Sequence, residues 1–321
     1  MGHRSVADRR RRDFTDVIDA PHLPPELLPR ERRYRPETRG AFGWLFRKTV
    51  VFGLMFVITS AFFSVLSKFV WLPIGNDEIT YISALFFFGL LALIAMRRFR
   101  LQKLLAAKNQ EAAALLLAGK IDESAKILEE NCAQGRIAPR EHSQAILLRA
   151  QAALRNGRID QALGLFACAY YSNWFSAKTL RPEYPRVLNG VALCYAIKGE
   201  LESAEQWRDF AHAHVPPENI GLLLPLDTLV GIRAGRFAIV VQDAEKEWGS
   251  AERLLSPAEL NALRLLCAFS LSHINQNGKH EASIQRYLDS LQAPVAAEFD
   301  YLSEKWPELK TFLTEHQLSG Q

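Results

Sequence analysis

The chain has 321 residues, of which 49% are hydrophobic, and a formal charge of +4. This length is enough for one sizeable folded domain beside other segments. The positive excess lies in residues 1–48, with 12 Lys and Arg against 7 Asp and Glu, whereas residues 97–321 balance 26 against 26. A neutral C-terminal region argues against a general nucleic-acid-binding surface.

The first 48 residues form a basic arm. Residues 1 to about 40 contain five prolines, many charges and few apolar side chains, so we expect the arm to be largely disordered and cytoplasmic. Its basic runs, Arg9–Arg12 and Arg30–Arg39, are expected to lie against anionic lipid headgroups. An alternative is that Ala20–Leu28 is a short docking motif with leucine anchors.

Two apolar segments follow the arm, Thr49–Ser67 and Ile79–Met96, with 19 and 18 residues and no charge. Each is about as long as the roughly 30 Å hydrocarbon core of a bilayer. We therefore predict a transmembrane helical hairpin over residues 49–96. The alternative is a hairpin buried in a soluble core, but helices in such a core usually keep one polar face. A small stripe of Ser60, Ser64 and Ser67 is expected to let the second helix approach through Gly89 or Ala92.

Orientation follows from the flanking charges. Basic residues are concentrated in Arg30–Lys48 and Arg97–Lys108, whereas the loop Lys68–Glu78 carries one Lys against two acids. By the positive-inside rule, both termini are cytoplasmic. The chain is predicted to be an integral protein of a membrane, and a bacterial inner membrane is favoured.

An internal repeat follows a helical stretch that continues from the second apolar segment. Units begin at Gly119, Gly157, Gly199 and, more weakly, Gly235, with spacings of 38, 42 and 36 residues. In the first three units the glycine is expected to end one helix in the left-handed conformation, and the acidic residue after it to begin the next. A small residue five positions on allows the two helices to pack closely.

These units resemble the tetratricopeptide repeat, a helix-turn-helix unit of about 34 residues. The third unit carries Leu188, Val191, Ala192 and Tyr195 at the family's large, large, small and aromatic positions, and the second carries Ile146, Ala150 and Ala153. The resemblance covers about residues 105–250, and the longer units suggest an irregular superhelix. The predicted fold is all-α, a two-helix transmembrane hairpin followed by a tetratricopeptide-like α-solenoid over residues 97–321.

The remaining segments fit this scheme. A helix from Pro257 to about Ile274 and another over His280–Leu291 predict a fifth pair, and Ala296–Gln317 predicts a capping helix that Pro307 divides. The aromatic connector Tyr170–Pro185 is expected to pack over the neighbouring pair, with a binding loop as the alternative.

No motif for catalysis or cofactor binding is present, so we predict a protein that is not an enzyme and has no cofactor. Cys132, Cys168, Cys194 and Cys267 are scattered and are expected to be buried, reduced thiols. His212 and His214 near Asp209 do not have the spacing of metal ligands on one helical face, so no metal site is predicted.

The resemblance implies a concave groove, lined by the first helix of each repeat, that takes a peptide or helix of a partner protein. Transferred by register, its lining residues are Gln144, Leu147, Gln151 and Leu154 in the second unit, and Arg186, Asn189, Leu193 and Ala196 in the third. Only Arg186 and Asn189 have the chemistry of the carboxylate clamp found in some family members. The alternative is that these residues are ordinary exposed helix surface.

The resulting hypothesis is a membrane-anchored scaffold or adaptor that recruits a partner protein through the solenoid. The alternative is a structural subunit of a larger secretion, envelope or motility assembly, in which the transmembrane helices make the main contacts. The layout is similar to bacterial inner-membrane tetratricopeptide proteins linked to heme synthesis, but the long arm departs from it.

Overall fold

A computed structural model describes residues 21–34, 41–69, 76–134, 138–172, 175, 180–291 and 298–320. Within these ranges the chain is all-α and contains no strand. The helices are α1 Ala41–Phe69, α2 Asn76–Leu117, α3 Ile121–Gln134, α4 Pro139–Arg155, α5 Ile159–Tyr171, α6 Tyr184–Lys198, α7 Leu201–His214, α8 Leu224–Arg233, α9 Phe237–Leu254, α10 Pro257–Ile274, α11 Glu281–Asp289, α12 Asp300–Ser303 and α13 Pro307–Glu315.

Helices α2 to α11 form five successive pairs. Each even-numbered helix packs against the odd-numbered helix that follows it, and the even-numbered helices also pack against one another in sequence from α2 to α10. This is the arrangement of a helical-repeat solenoid, in which each unit buries its apolar face against its neighbours. The helix pairs inferred from the sequence, including the fifth, are confirmed.

The turns inside the pairs explain the spacing of the glycines. Gly119, Gly157, Gly199 and Gly235 have φ between +71° and +81°, a conformation that costs glycine less than other residues. Five positions later in the first three units, the small residues Ser124, Ala162 and Ala204 are fully buried.

The fourth unit solves the same packing problem differently. It carries the larger Val240 at the small position, and a Cβ on Gly231 of α8 would lie 2.4 Å from the Val240 methyl group. In this unit the residue that makes room is therefore a glycine on the first helix, and α8 and α9 still pack closely. This compensation explains why the fourth unit is hard to recognise in the sequence.

Helices α1 and α2 form the hairpin ahead of the solenoid. They pack against each other, and α2 continues without a break into the first solenoid pair. Within the described ranges, no helix combines the length and the apolar character needed to cross a membrane. The predicted close approach at Gly89 is wrong, because a Cβ there would meet nothing within 4 Å and both Gly89 and Ala92 are exposed.

The arm departs from the expected disorder over Pro21–Tyr34, which we call the strap. Leu23 and Tyr34 are buried against the solenoid, and the Tyr171 hydroxyl donates a hydrogen bond to the Leu23 carbonyl at 2.9 Å. A Cβ on Gly164 of α5 would lie 2.5 Å from the Leu27 carbonyl oxygen, so glycine permits this approach. The leucines proposed as docking anchors therefore contact the protein's own repeats.

The C-terminal segment divides at Pro307, as the sequence predicts, into α12 and α13. It packs across the later pairs, where the Trp306 and Phe312 rings meet Phe269 of α10 edge-on. The Arg233 guanidinium of α8 lies 4.0 Å from the centre of the Trp306 ring and donates to the Lys305 carbonyl. The segment thus covers part of the solenoid rather than extending it.

A histidine–carboxylate pair joins α7 to α8. The His212 Nε2 atom lies 2.8 Å from an Asp227 carboxylate oxygen. The hydrogen bond to Asp227 raises the His212 pKa above its usual 6.5; burial and Arg208 oppose this effect, and the charges of Asp227 and Asp209 add to it.

We expect the His212 contribution to stability to depend on pH. Because the folded-state pKa is raised, the stabilisation is fully present below pH 6.5 and is lost as pH rises through the folded-state pKa. For a half-exposed pair it amounts to less than about 1 kcal/mol. The unfolding midpoint of His212→Gln should therefore fall further below the parent at pH 5.5 than at pH 8.5, and an equal difference at both would contradict this.

Candidate functional site

The predicted groove residues surround one cavity. Gln144, Leu147 and Gln151 reach it from α4, and Arg186, Asn189 and Leu193 reach it from α6. We call this space, of about 370 Å³, the α4–α6 cavity. Leu154 also lines it, whereas Ala196 is fully buried in the core and does not.

Helical spacing explains why these side chains converge. Positions three and four apart lie on one face of a helix, and these residues bring one face of α4 and one face of α6 to the cavity. Leu147 is 2% exposed and Asn189 is 9% exposed, so the alternative of ordinary exposed surface is wrong for both. Gln144, Gln151, Arg186 and Leu193 are half-buried at the wall.

The floor of the cavity is apolar and tightly packed. Phe166 of α5 is 1% exposed and reaches the cavity beneath Gly190 of α6. Its ring atoms lie as close as 2.3 Å to the place where a Cβ on Gly190 would be. A side chain at this glycine would therefore displace the ring, and the glycine sets how deeply Phe166 can sit.

Arg186 at the wall is already paired with a carboxylate. Arg186 donates to the Glu183 carboxylate at 2.8 Å. Burial lowers the Arg186 pKa, but the hydrogen bond and the charge of Glu183 outweigh this and leave the pKa above its ordinary value. Because Arg186 is already paired with a carboxylate of the protein itself, the site does not resemble a vacant carboxylate clamp.

One polar atom at the cavity has no partner. The Asn189 amide oxygen is buried and accepts no hydrogen bond from the residues that the structure describes. Leaving a buried amide oxygen unpaired costs about 1–3 kcal/mol, which a ligand donating a hydrogen bond would recover. Half-buried Gln144 and Gln151 supply further amide groups at the same wall.

Register transfer from the second and third units missed several lining residues. Asn109, Gln110 and Leu117 come from α2, Glu259 comes from the start of α10, and Tyr301 comes from the C-terminal segment. The Ser256–Glu259 capping box could have marked the start of α10, but no local signal places Tyr301 at the cavity.

A larger cavity of about 1270 Å³ adjoins the first. Both are lined by Leu117, Arg155, Ala258 and Tyr301. The larger one lies between the turns at Gly119 and Gly157 and the C-terminal segment.

The other candidate groups have structural surroundings. All four cysteines are free and buried, as predicted, and burial raises the pKa of Cys132, Cys168 and Cys267 to about 12. In the described part of the chain no group of three His, Cys, Asp or Glu side chains is arranged to hold a metal ion. Phe175 of the aromatic connector is buried, and Trp174 lies outside the described residues.

The α4–α6 cavity is therefore the best candidate site, with an apolar floor, the Arg186–Glu183 ion pair at its wall and, among the described residues, an amide oxygen without a partner. Comparison with known proteins adds no independent assignment. No protein-family model matches the chain, and no curated protein or solved structure is similar enough to it to count as a match.

Proposed function

We propose that this protein is a membrane-anchored adaptor whose solenoid recruits a partner protein through the α4–α6 cavity. One observation carries the proposal: six side chains from two repeats converge on a cavity that contains a buried amide oxygen without a partner among the described residues. Such a site is suited to binding, because its lining offers hydrogen bonds and apolar contacts but no activated nucleophile among the described residues.

The chemistry of the lining defines the kind of partner. Arg186 is neutralised by Glu183, so the wall does not select a strongly charged ligand. Asn189, Gln144 and Gln151 provide amides of the kind that pair with a peptide backbone, and the Phe166 floor suits one apolar side chain. The partner is an uncharged peptide segment or the face of a helix.

The anchor in this proposal is the hairpin of α1 and α2. Large apolar side chains are exposed around both helices, including Leu54, Val57 and Phe62 on α1 and Leu85 and Phe88 on α2. An apolar surface this extensive requires a bilayer or a partner to cover it. With the flanking basic residues, this favours a hairpin in a bacterial inner membrane and a cytoplasmic solenoid.

The adaptor proposal is tested by blocking the cavity. In Gln151→Trp, an indole replaces a half-buried side chain at the cavity wall. Gln206→Trp makes the same exchange on the exposed surface of α7 and serves as the control. Quantitative affinity capture from gently solubilised membranes should show at least tenfold less of one soluble partner with Gln151→Trp than with Gln206→Trp. Equal capture by both variants would refute the adaptor role of the cavity.

The exposed apolar surface of the hairpin favours a second candidate, a structural subunit of a larger membrane assembly. In that case captured proteins are themselves membrane proteins, and an unrelated hairpin in place of residues 41–96 abolishes their capture. If the hairpin exchange leaves the captured set unchanged, the subunit proposal fails and the adaptor proposal is retained.

A further inference from the structure

Basic residues first appear on the exposed surface of helix α2 directly after Met96, at Arg97. Leu93, Ile94 and Met96 are exposed apolar side chains, and the exposed positions that follow are a mixture of the basic Arg97, Arg100 and Lys103 with the apolar Phe99 and Leu104. The change occurs inside one unbroken helix, so the backbone geometry gives no reason for it. An apolar surface followed directly by cations matches the boundary between lipid tails and anionic headgroups.

The cations occupy one side of the helix. Arg97, Arg100 and Lys103 recur every three residues and are all exposed, and we call them the α2 basic stripe. At 1.5 Å per residue the stripe spans roughly 9 Å along the helix. The headgroup layer on each side of a bilayer is about 5–8 Å thick, so the stripe is slightly longer than this layer and most of it could lie within the layer.

The neighbouring basic residues are used by the protein itself. Arg33 of the strap pairs with Glu129 at 2.7 Å, Lys108 lies 3.5 Å from Glu130, and Arg98 is half-buried within the field of Glu141. No ion pair to the α2 basic stripe exists within the described ranges. Lys103 lies 4.6 Å from the centre of the Phe99 ring, which is itself 57% exposed.

We propose that the α2 basic stripe is a binding site for the headgroup of an anionic phospholipid. The inference rests on the membrane anchoring proposed above and adds a lipid class and three residues. Arg33 of the strap is held in ion pairs with Glu31 and Glu129. Arg30 of the strap is exposed and remains free to contribute within the described part of the arm.

The test counts lipids bound to the full chain. The protein in a neutral detergent is titrated with dioleoylphosphatidylglycerol or dioleoylphosphatidylcholine, and bound lipid is counted by native mass spectrometry. Each cation near a headgroup contributes about 1 kcal/mol, or roughly fivefold in affinity. Arg97→Gln/Arg100→Gln/Lys103→Gln should therefore bind phosphatidylglycerol at least tenfold more weakly, with phosphatidylcholine binding unchanged.

Lys246→Gln/Lys279→Gln/Lys305→Gln is the matched control, because it removes three exposed cations on elements that do not pack on α2. If both triple variants bind phosphatidylglycerol as the parent does, the lipid site is refuted. Alkaline carbonate extraction of membranes separates the two proposals. If the parent chain stays in the membrane and the stripe variant still binds phosphatidylglycerol, only the lipid site is refuted. If the parent chain is extracted, the membrane anchor is refuted as well.

Discussion

Glu129→Ala should lower the free energy of unfolding by about 2–4 kcal/mol, one of the largest losses expected from a single polar side chain here. The Glu129 carboxylate accepts from the Tyr34 hydroxyl, from Arg149 Nε at 3.3 Å and from Arg33 at 2.7 Å. The Arg149 side chain is only 8% exposed, so removing the carboxylate leaves a buried cation without its counter-charge. Thermal unfolding of the full chain in mild detergent, followed by circular dichroism, measures the loss.

Two variants separate the buried network from a simple change of charge. Glu130→Ala removes the adjacent carboxylate, which is 52% exposed and lies 3.5 Å from Lys108, and should cost less than about 1 kcal/mol. Glu129→Ala/Arg149→Leu removes the buried cation together with its counter-charge and should be more stable than Glu129→Ala alone. Equal losses for Glu129→Ala and Glu130→Ala would show that the network contributes no more than a surface pair.

Glu129→Ala also tests how the strap connects the hairpin to the solenoid. Ala41 lies seven positions after Tyr34, and seven residues can span at most about 25 Å. The strap therefore keeps the start of α1 within this distance of Tyr34, which contacts α3 through Glu129. Helix α2 leaves the hairpin at the same end of the solenoid. Hydrogen exchange over Pro21–Tyr34 should therefore accelerate in Glu129→Ala, and unchanged protection would mean that Leu23 and Leu27 suffice to hold the strap.

The solenoid could be predicted from sequence because its determinants are local. A left-handed glycine, an acid early in the next helix and a small residue five positions after the glycine all lie within six consecutive residues, and the structure shows each of them in the first three units. The strap could not be predicted in this way. Its composition is that of a disordered segment, and the partner of Tyr34 lies 95 residues further along the chain.

The candidate site was predictable only in part, for a similar reason. Repeat register assigned the facing residues of α4 and α6, because helical periodicity fixes which side chains share a face. The contributions of Glu259 and Tyr301 depend on how far the superhelix curves and where the C-terminal segment returns, and these are set by packing between distant units. The burial of Asn189 and the pairing of Arg186 with Glu183 likewise required side-chain positions.

Phe166→Ala should destabilise the protein by about 3–5 kcal/mol, the usual cost of removing a buried aromatic ring. The ring is 1% exposed and fills the space directly beneath Gly190, so its loss opens a void between α5 and α6. Denaturant or thermal unfolding of the full chain in detergent measures this cost. Gly190→Ala alone should also destabilise, by about 1–3 kcal/mol, because the added Cβ has no room while the ring is present.

The two positions should show strong coupling when they are changed together. In Phe166→Ala/Gly190→Leu, the new leucine can enter the space left by the ring, so the double variant should be at least about 1 kcal/mol more stable than Phe166→Ala. Phe312→Ala, another buried aromatic truncation but near the C-terminus, should show no such coupling with Gly190→Leu. If both pairs prove additive, Gly190 does not set the position of Phe166. The floor of the α4–α6 cavity would then be free to adapt to a ligand instead of being fixed by this contact.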